Sequence, residues 1–240
     1  MDNFTNIFLW LCVVHLVADY PLQTNLVFGF RYKYKYGGLL HVGIHFVVGA
    51  VFLFPYILNW QIWVVLAVSN VIHYFIDTVA KKNIWMFLGD QAAHLVIITA
   101  GAFVAASAAP MALPDAVARY YFSTSFPLYV IGYLAATYMG TIVIYFVKVT
   151  FRSDYAGRGI FGYEKFTGVA ARAVTVTAIL LGARYHPAFF LAAPAGEVLR
   201  LAHVLWKKED GGQYKDVFYA DIIISFIYAA AVGAALTFVR

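Results

Sequence analysis

W-Q-I-W-V-V-L-A-V-S-N-V-I-H-Y-F-I-D-T-V, residues 60–79, is an apolar run as long as a bilayer-crossing helix that closes on a histidine and an aspartate four residues apart. On a helix a step of four brings His73 and Asp77 onto one face, one turn apart. The same step recurs in His15/Asp19, His41/His45 and Asp90/His94, and every His and Asp between positions 15 and 94 belongs to one of these four pairs. Each pair can grip one ion or donate to a shared cluster.

Around this stretch the chain is 63% hydrophobic and only 12% charged. Soluble domains carry about a quarter charged residues, so lipid is the solvent for most of this surface. Apolar runs predict helices at 4–20, 37–58, 60–79, 90–108, 127–150, 166–184, 187–206 and 217–239. The reading is an all-α, polytopic transmembrane bundle of about eight helices, one domain over 1–240. Residues 1–108 form its His/Asp half, and 109–240 a supporting and substrate half. Pro194 and Gly196 interrupt the seventh helix, and Glu197, Arg200 and His203 make it polar. The first lacks a basic start and a small-residue cleavage site, so it reads as a retained helix. A single cysteine, Cys12, excludes an intramolecular disulfide and a thiolate cluster. The net charge of +5 lies between apolar runs, which is membrane topology and no nucleic-acid face.

The connections after helices one, three, five and seven hold twelve Lys and Arg, among them Lys33, Lys82 and Lys208. The opposite side holds three: Arg119, Arg184 and Arg240. The positive-inside rule then places both termini outside the cytoplasm of a prokaryotic inner membrane. In that topology all four pairs arrive at one depth, in the inner leaflet. Intramembrane ionisable groups cost at least roughly a few kcal/mol each and normally face the bundle interior. A single pair reads more simply as interhelical hydrogen bonding. Four pairs at one depth, using His and Asp only, read as metal ligands: His15, Asp19, His41, His45, His73, Asp77, Asp90 and His94. Five imidazoles and three carboxylates suit zinc, iron or manganese, and eight ligands suit two divalent ions with open positions. Gln23 and Gln91 are expected to orient ligands by hydrogen bonding.

The stretches H-L-V-A-D-Y-P-L-Q-T-N (15–25), L-L-H-V-G-I-H (39–45), H-Y-F-I-D (73–77) and D-Q-A-A-H (90–94) resemble the signature of a bacterial and phage membrane family, domain of unknown function 3307. G-I-F-G-Y-E-K (159–165) is similar to that family's glycine–acid element, with Lys165 where Arg is more usual. The resemblance implies a polytopic membrane protein with a His/Asp-rich site, and it brings no activity.

A second polar set, Arg158, Glu164, Arg172 and Arg200, is expected to hold an anionic substrate group, since guanidinium binds phosphate bidentately. The simpler reading of the loop charges is cytosolic positive-inside residues, and of Arg172, Glu197 and Arg200 an intramembrane salt bridge. The expected activity is two-metal hydrolysis of a lipid-linked or phosphorylated amphipathic substrate, with Asp19 or Asp90 as general base. Alternatives are a membrane di-iron oxidase or oxygenase, a divalent-metal or proton transporter, and a non-catalytic subunit of a membrane complex. Three aspartates make the site harder than histidine-rich di-iron centres. Transport sites lie nearer the midplane on broken helices. The expected partner is membrane lipid, with no nucleic acid.

Overall fold

The computed structural model describes residues 2–34, 36–79, 82–151, 163–207 and 219–239. Among these every regular element is a helix and there is no strand. It divides into two compact units, 1–131 and 132–240.

In the first unit α1 (Asn3–Asp19), α3 (Gly37–Phe52), α4 (Trp60–Asp77) and α5 (Ile84–Ala105) close a ring: α1 packs on α3, α3 on α4, α4 on α5 and α5 on α1. The pattern of α4 shows why. Ile62, Val65, Leu66, Asn70 and His73 recur at three- and four-residue steps and are buried, while Trp63, Val64, Val68, Val71, Ile72 and Phe75 are exposed. The outer face is therefore apolar and the inner face carries the polar groups, the reverse of a soluble helix. So many large exposed apolar side chains exceed what water tolerates and suit lipid. Ile84–Ala105, Ser125–Phe151 and Phe166–Arg184 are each long and apolar enough to cross a membrane.

One end of the ring is filled by Ile7, Trp10, Leu53, Tyr56, Ile62 and Ala105. The segment that follows α5, including α6 (Asp115–Tyr121), is tied to that end. Asn3 donates to Ala108 O (2.9 Å), Asn6 and Trp10 both donate to Tyr121 O (2.8 and 3.0 Å), and Tyr121 OH donates to Phe52 O (2.7 Å). These bonds tie the segment as far as Tyr121 to the first unit.

Several boundaries differ from those expected. The run 37–58 stops at Phe52, because Pro55 cannot continue the hydrogen-bond ladder and a 3-10 turn, Phe54–Tyr56, follows. The fourth long helix begins at Ile84, where the Asn83 side chain accepts from Met86 N. Asp90 and His94 therefore sit well inside it. α2 (Asn25–Lys33), capped by Thr24, occupies what read as a loop.

In the second unit α9 (Tyr163–Arg184) is the hub for α8 (Gly140–Phe151), α10 (Ala195–Lys207) and α11 (Tyr219–Leu236). α7 (Ser125–Leu134) runs into α8 through a π turn, Ala135–Met139. The run 187–206 is no single helix: a 3-10 turn, Pro187–Ala192, precedes α10. Together they track α9 in the opposite direction, since a Cβ on Gly182 would meet Phe190, Thr175 donates to Ala193 O, and a Cβ on Gly196 would meet the Ala171 backbone.

Candidate metal centre

The ring brings the four pairs together at the end opposite the aromatic core. α1 delivers His15 and Asp19 in its last turns, α3 His41 and His45 in its first half, α4 His73 and Asp77 at its end, and α5 Asp90 and His94. All five imidazoles are buried, His41 to 1% exposure.

Asp19 is the hub. Its Oδ1 lies 3.1 Å from His41 Nε2, 2.8 Å from His45 Nε2 and 3.5 Å from His73 Nε2, and its Oδ2 lies 3.3 Å from His15 Nδ1. Asp77 Oδ2 meets His41 Nε2 at 3.3 Å and His73 Nε2 at 3.4 Å, and those two nitrogens are 3.2 Å apart. Ligands about 2.0–2.1 Å from a tetrahedral ion stand roughly 3.3–3.4 Å from one another. The five N···N and N···O distances among His41, His73, Asp19 and Asp77, 3.1 to 3.5 Å, thus match the edges of such a shell. Hydrogen bonding alone explains this arrangement poorly, because one carboxylate oxygen is faced by three ring nitrogens and two of those face each other. Two further groups, His15–Asp19–His45–His73 and Asp77–Asp90–His94, also bring donor atoms within 4.8 Å of one another.

The surroundings fix ring orientation. His94 Nδ1 donates to Asp90 O at 2.9 Å, which leaves the lone pair on Nε2. Gln91 Nε2 donates to Asp90 Oδ2 (3.0 Å), and Gln91 Oε1 meets His15 Nε2 (3.3 Å) and accepts from Tyr20 OH (3.0 Å). A ring N–H held by a carbonyl or amide oxygen is the usual support of an imidazole ligand. Gln91 thus touches two of the four pairs. Gln23 lies in the turn after α1, with no hydrogen bond to the cluster among the described residues.

The C-terminal candidates lie in the second unit. Arg172, buried to 1% exposure, donates from Nε and Nη2 to Thr137 O (3.2 and 2.7 Å), from Nη2 to Thr141 Oγ1, and from Nη1 to Ser225 Oγ (3.0 Å). Ser225 donates to Glu197, which pairs with Arg200 at 3.2 Å. Arg158 and the Glu164 side chain lie outside the described residues.

Sequence reading missed Tyr20 and Asn70. Asn70 precedes His73 by three residues and shares its face, a register that marks it as a neighbour of the pairs.

Residues 7–117, which contain all four pairs, match the model of the family described as Protein of unknown function (DUF3307). No curated protein and no solved structure matches the chain.

Proposed function

We propose that the chain is an integral membrane metalloenzyme of the prokaryotic inner membrane that holds two divalent ions and hydrolyses a lipid-linked or phosphorylated amphipathic substrate at the cytoplasmic leaflet. The observation that carries the reading is that His41 Nε2 and His73 Nε2 lie 3.1 to 3.5 Å from Asp19 Oδ1, from Asp77 Oδ2 and from each other, the ligand spacing of a tetrahedral ion. Zinc, manganese or iron(II) fits that mixed nitrogen and oxygen set. Bound ions of this kind polarise a phosphoryl or carbonyl oxygen and bring a water pKa to near neutrality.

The chain's own residues supply the rest. Asp19 presents its two oxygens to different imidazoles, Oδ1 to His41, His45 and His73 and Oδ2 to His15, and so joins adjacent donor groups. Asp90 orients His94 through its carbonyl and Gln91 through its carboxylate, and it is the general base we assign. The twelve-to-three distribution of Lys and Arg supports eight crossings with both ends outside, the seventh being the 3-10 turn plus α10. The pairs then open toward the cytoplasmic side.

One observation favours a second reading, a di-iron oxidase. A cavity of about 50 Å³ beside His73 and His94 has mainly apolar walls, including Leu11, Leu66, Ile97 and Ile98, which suits a diatomic gas.

Metal analysis of detergent-purified protein tests the proposal, with phosphate release from phosphatidic acid in mixed micelles as the activity arm. Two ions per chain and metal-dependent release are expected. Iron with oxygen-dependent turnover and no release would transfer the assignment to the oxidase. No ion, even after incubation with zinc, manganese or iron(II), would overturn both.

A further inference from the structure

The cavity next to the centre is lined on its polar side by His15, His45, His73, His94, Ser69 and Asn70. Two of those residues carry a buried polar atom with no hydrogen-bond partner among the described residues: His94 Nε2 and Asn70 Oδ1. They are 3% and 8% exposed. In both the other polar atom is already committed. Asn70 Nδ2 donates to Leu66 O at 2.6 Å, which fixes the amide so that Oδ1 is the free end. His94 Nδ1 donates to Asp90 O at 2.9 Å, which in the neutral ring leaves Nε2 as a bare lone pair. Two residues that line one cavity thus each bury an electron-pair donor with no partner among the described residues. Native interiors rarely leave such groups unmatched.

We propose that Asn70 Oδ1 and His94 Nε2 are ligands of a divalent cation seated in this cavity, the second ion of the centre, beside the imidazoles of His15 and His45 that line the same space. The inference rests on the metal-centre reading and adds a ligand to it. Asn70, His73 and Asp77 follow one another at three- and four-residue steps, so α4 serves both ions from one face. An amide oxygen and imidazole nitrogens suit zinc, manganese or iron(II) and do not select copper(I).

The two positions differ in charge. The tetrahedral set contains two carboxylates, which neutralise a divalent ion, whereas Asn70 and His94 are neutral. The cavity ion keeps its positive charge and binds more weakly. A water needs roughly 10–15 Å³ of such space, and the cavity offers about 50 Å³. Room therefore remains beside the ion for a water or one substrate oxygen. The cavity ion is the one that meets an anionic substrate oxygen, and the tetrahedral ion is the one that anchors the centre.

Equilibrium dialysis of the full chain in detergent against zinc and, separately, manganese, followed by metal analysis, tests this. Wild-type protein is expected to bind two ions in a tight and a weaker class. Asn70→Leu should lose the weaker ion and keep the tight one, and Asn70→Asp should keep both and tighten the weaker class at least tenfold. His41→Ala should instead remove the tight class. If Asn70→Leu keeps both ions at wild-type affinity, or if Asn70→Asp leaves the weaker class unchanged, Asn70 is no ligand and a water donating to both atoms fills the cavity. The metal-centre reading would survive that result. Should Asn70→Leu fail to fold, Asn70→Asp carries the test alone. Wild-type protein that binds no ion would sink both readings together.

Discussion

At the scale of single residues, the proposed centre has members that contact many partners and members that contact few. Asp19 faces four imidazoles, so Asp19→Ala is expected to remove at least the tightly bound ion, measured as metal per chain after purification. Gln91→Ala should act differently, since Gln91 supports His15 and Asp90 without belonging to any of the three donor groups. Loss of such a support costs about 10–100-fold in metal affinity, and the dialysis isotherm should shift by that factor with stoichiometry intact. An unchanged isotherm would remove Gln91 from the centre. Away from the site, buried Asn6 donates to Tyr121 O (2.8 Å) and accepts from Tyr56 OH (3.0 Å). Asn6→Leu strands both partners and should cost about 1–3 kcal/mol of stability, read from thermal unfolding in detergent, with metal content at wild-type level. The four pairs announced themselves by spacing, because a four-residue step on a helix leaves little freedom in direction. Asn70 and Tyr20 did not, since one amide or phenol in an apolar helix has many ordinary explanations.

At the scale of elements, close approach of helices is bought with small residues. A Cβ on Gly196 would lie 2.7 Å from the Ala171 backbone, which cannot step aside as a side chain can. Gly196→Val should therefore push α10 off α9 and destabilise the chain by about 1–3 kcal/mol or more, seen as a lower unfolding temperature. A wild-type unfolding temperature would show that the two helices do not meet there. The π turn Ala135–Met139 has a related role. A π turn departs from the i→i+4 ladder of its helix, and within this one Thr137 O accepts two donors of Arg172. That carbonyl, Thr141 and Ser225 draw the guanidinium into the second unit, so the expected phosphate-binding role of Arg172 competes with a structural one. Helix identity was legible wherever the apolar run was long. The ends were less so, because Pro55 and Asn83 act through local hydrogen bonding that overall hydropathy does not register.

At the scale of the whole molecule, the proposed eight-crossing topology makes a prediction of its own. With Cys12 replaced by Ser, cysteine introduced at Arg184 should react with an impermeant thiol reagent added to intact cells, and cysteine at Lys82 should react only after the membrane is opened. The reverse pattern would invert the orientation and put the centre on the outer side. The sequence by itself determined that the chain is helical, that it carries spans for a membrane, and that eight His and Asp side chains stand in four one-turn pairs. Those properties are local: a helical period and an excess of apolar residues are written in neighbouring positions. Tertiary structure alone decided that the four helices close a ring, that Asp19 stands among the imidazoles of three other residues besides His15, and that a cavity adjoins His94 and Asn70. Contacts between residues 26 and 76 positions apart, such as Asp19 with His45 and His15 with Gln91, depend on which helix faces which. That choice is made by packing across the whole unit, and no single stretch of the chain encodes it.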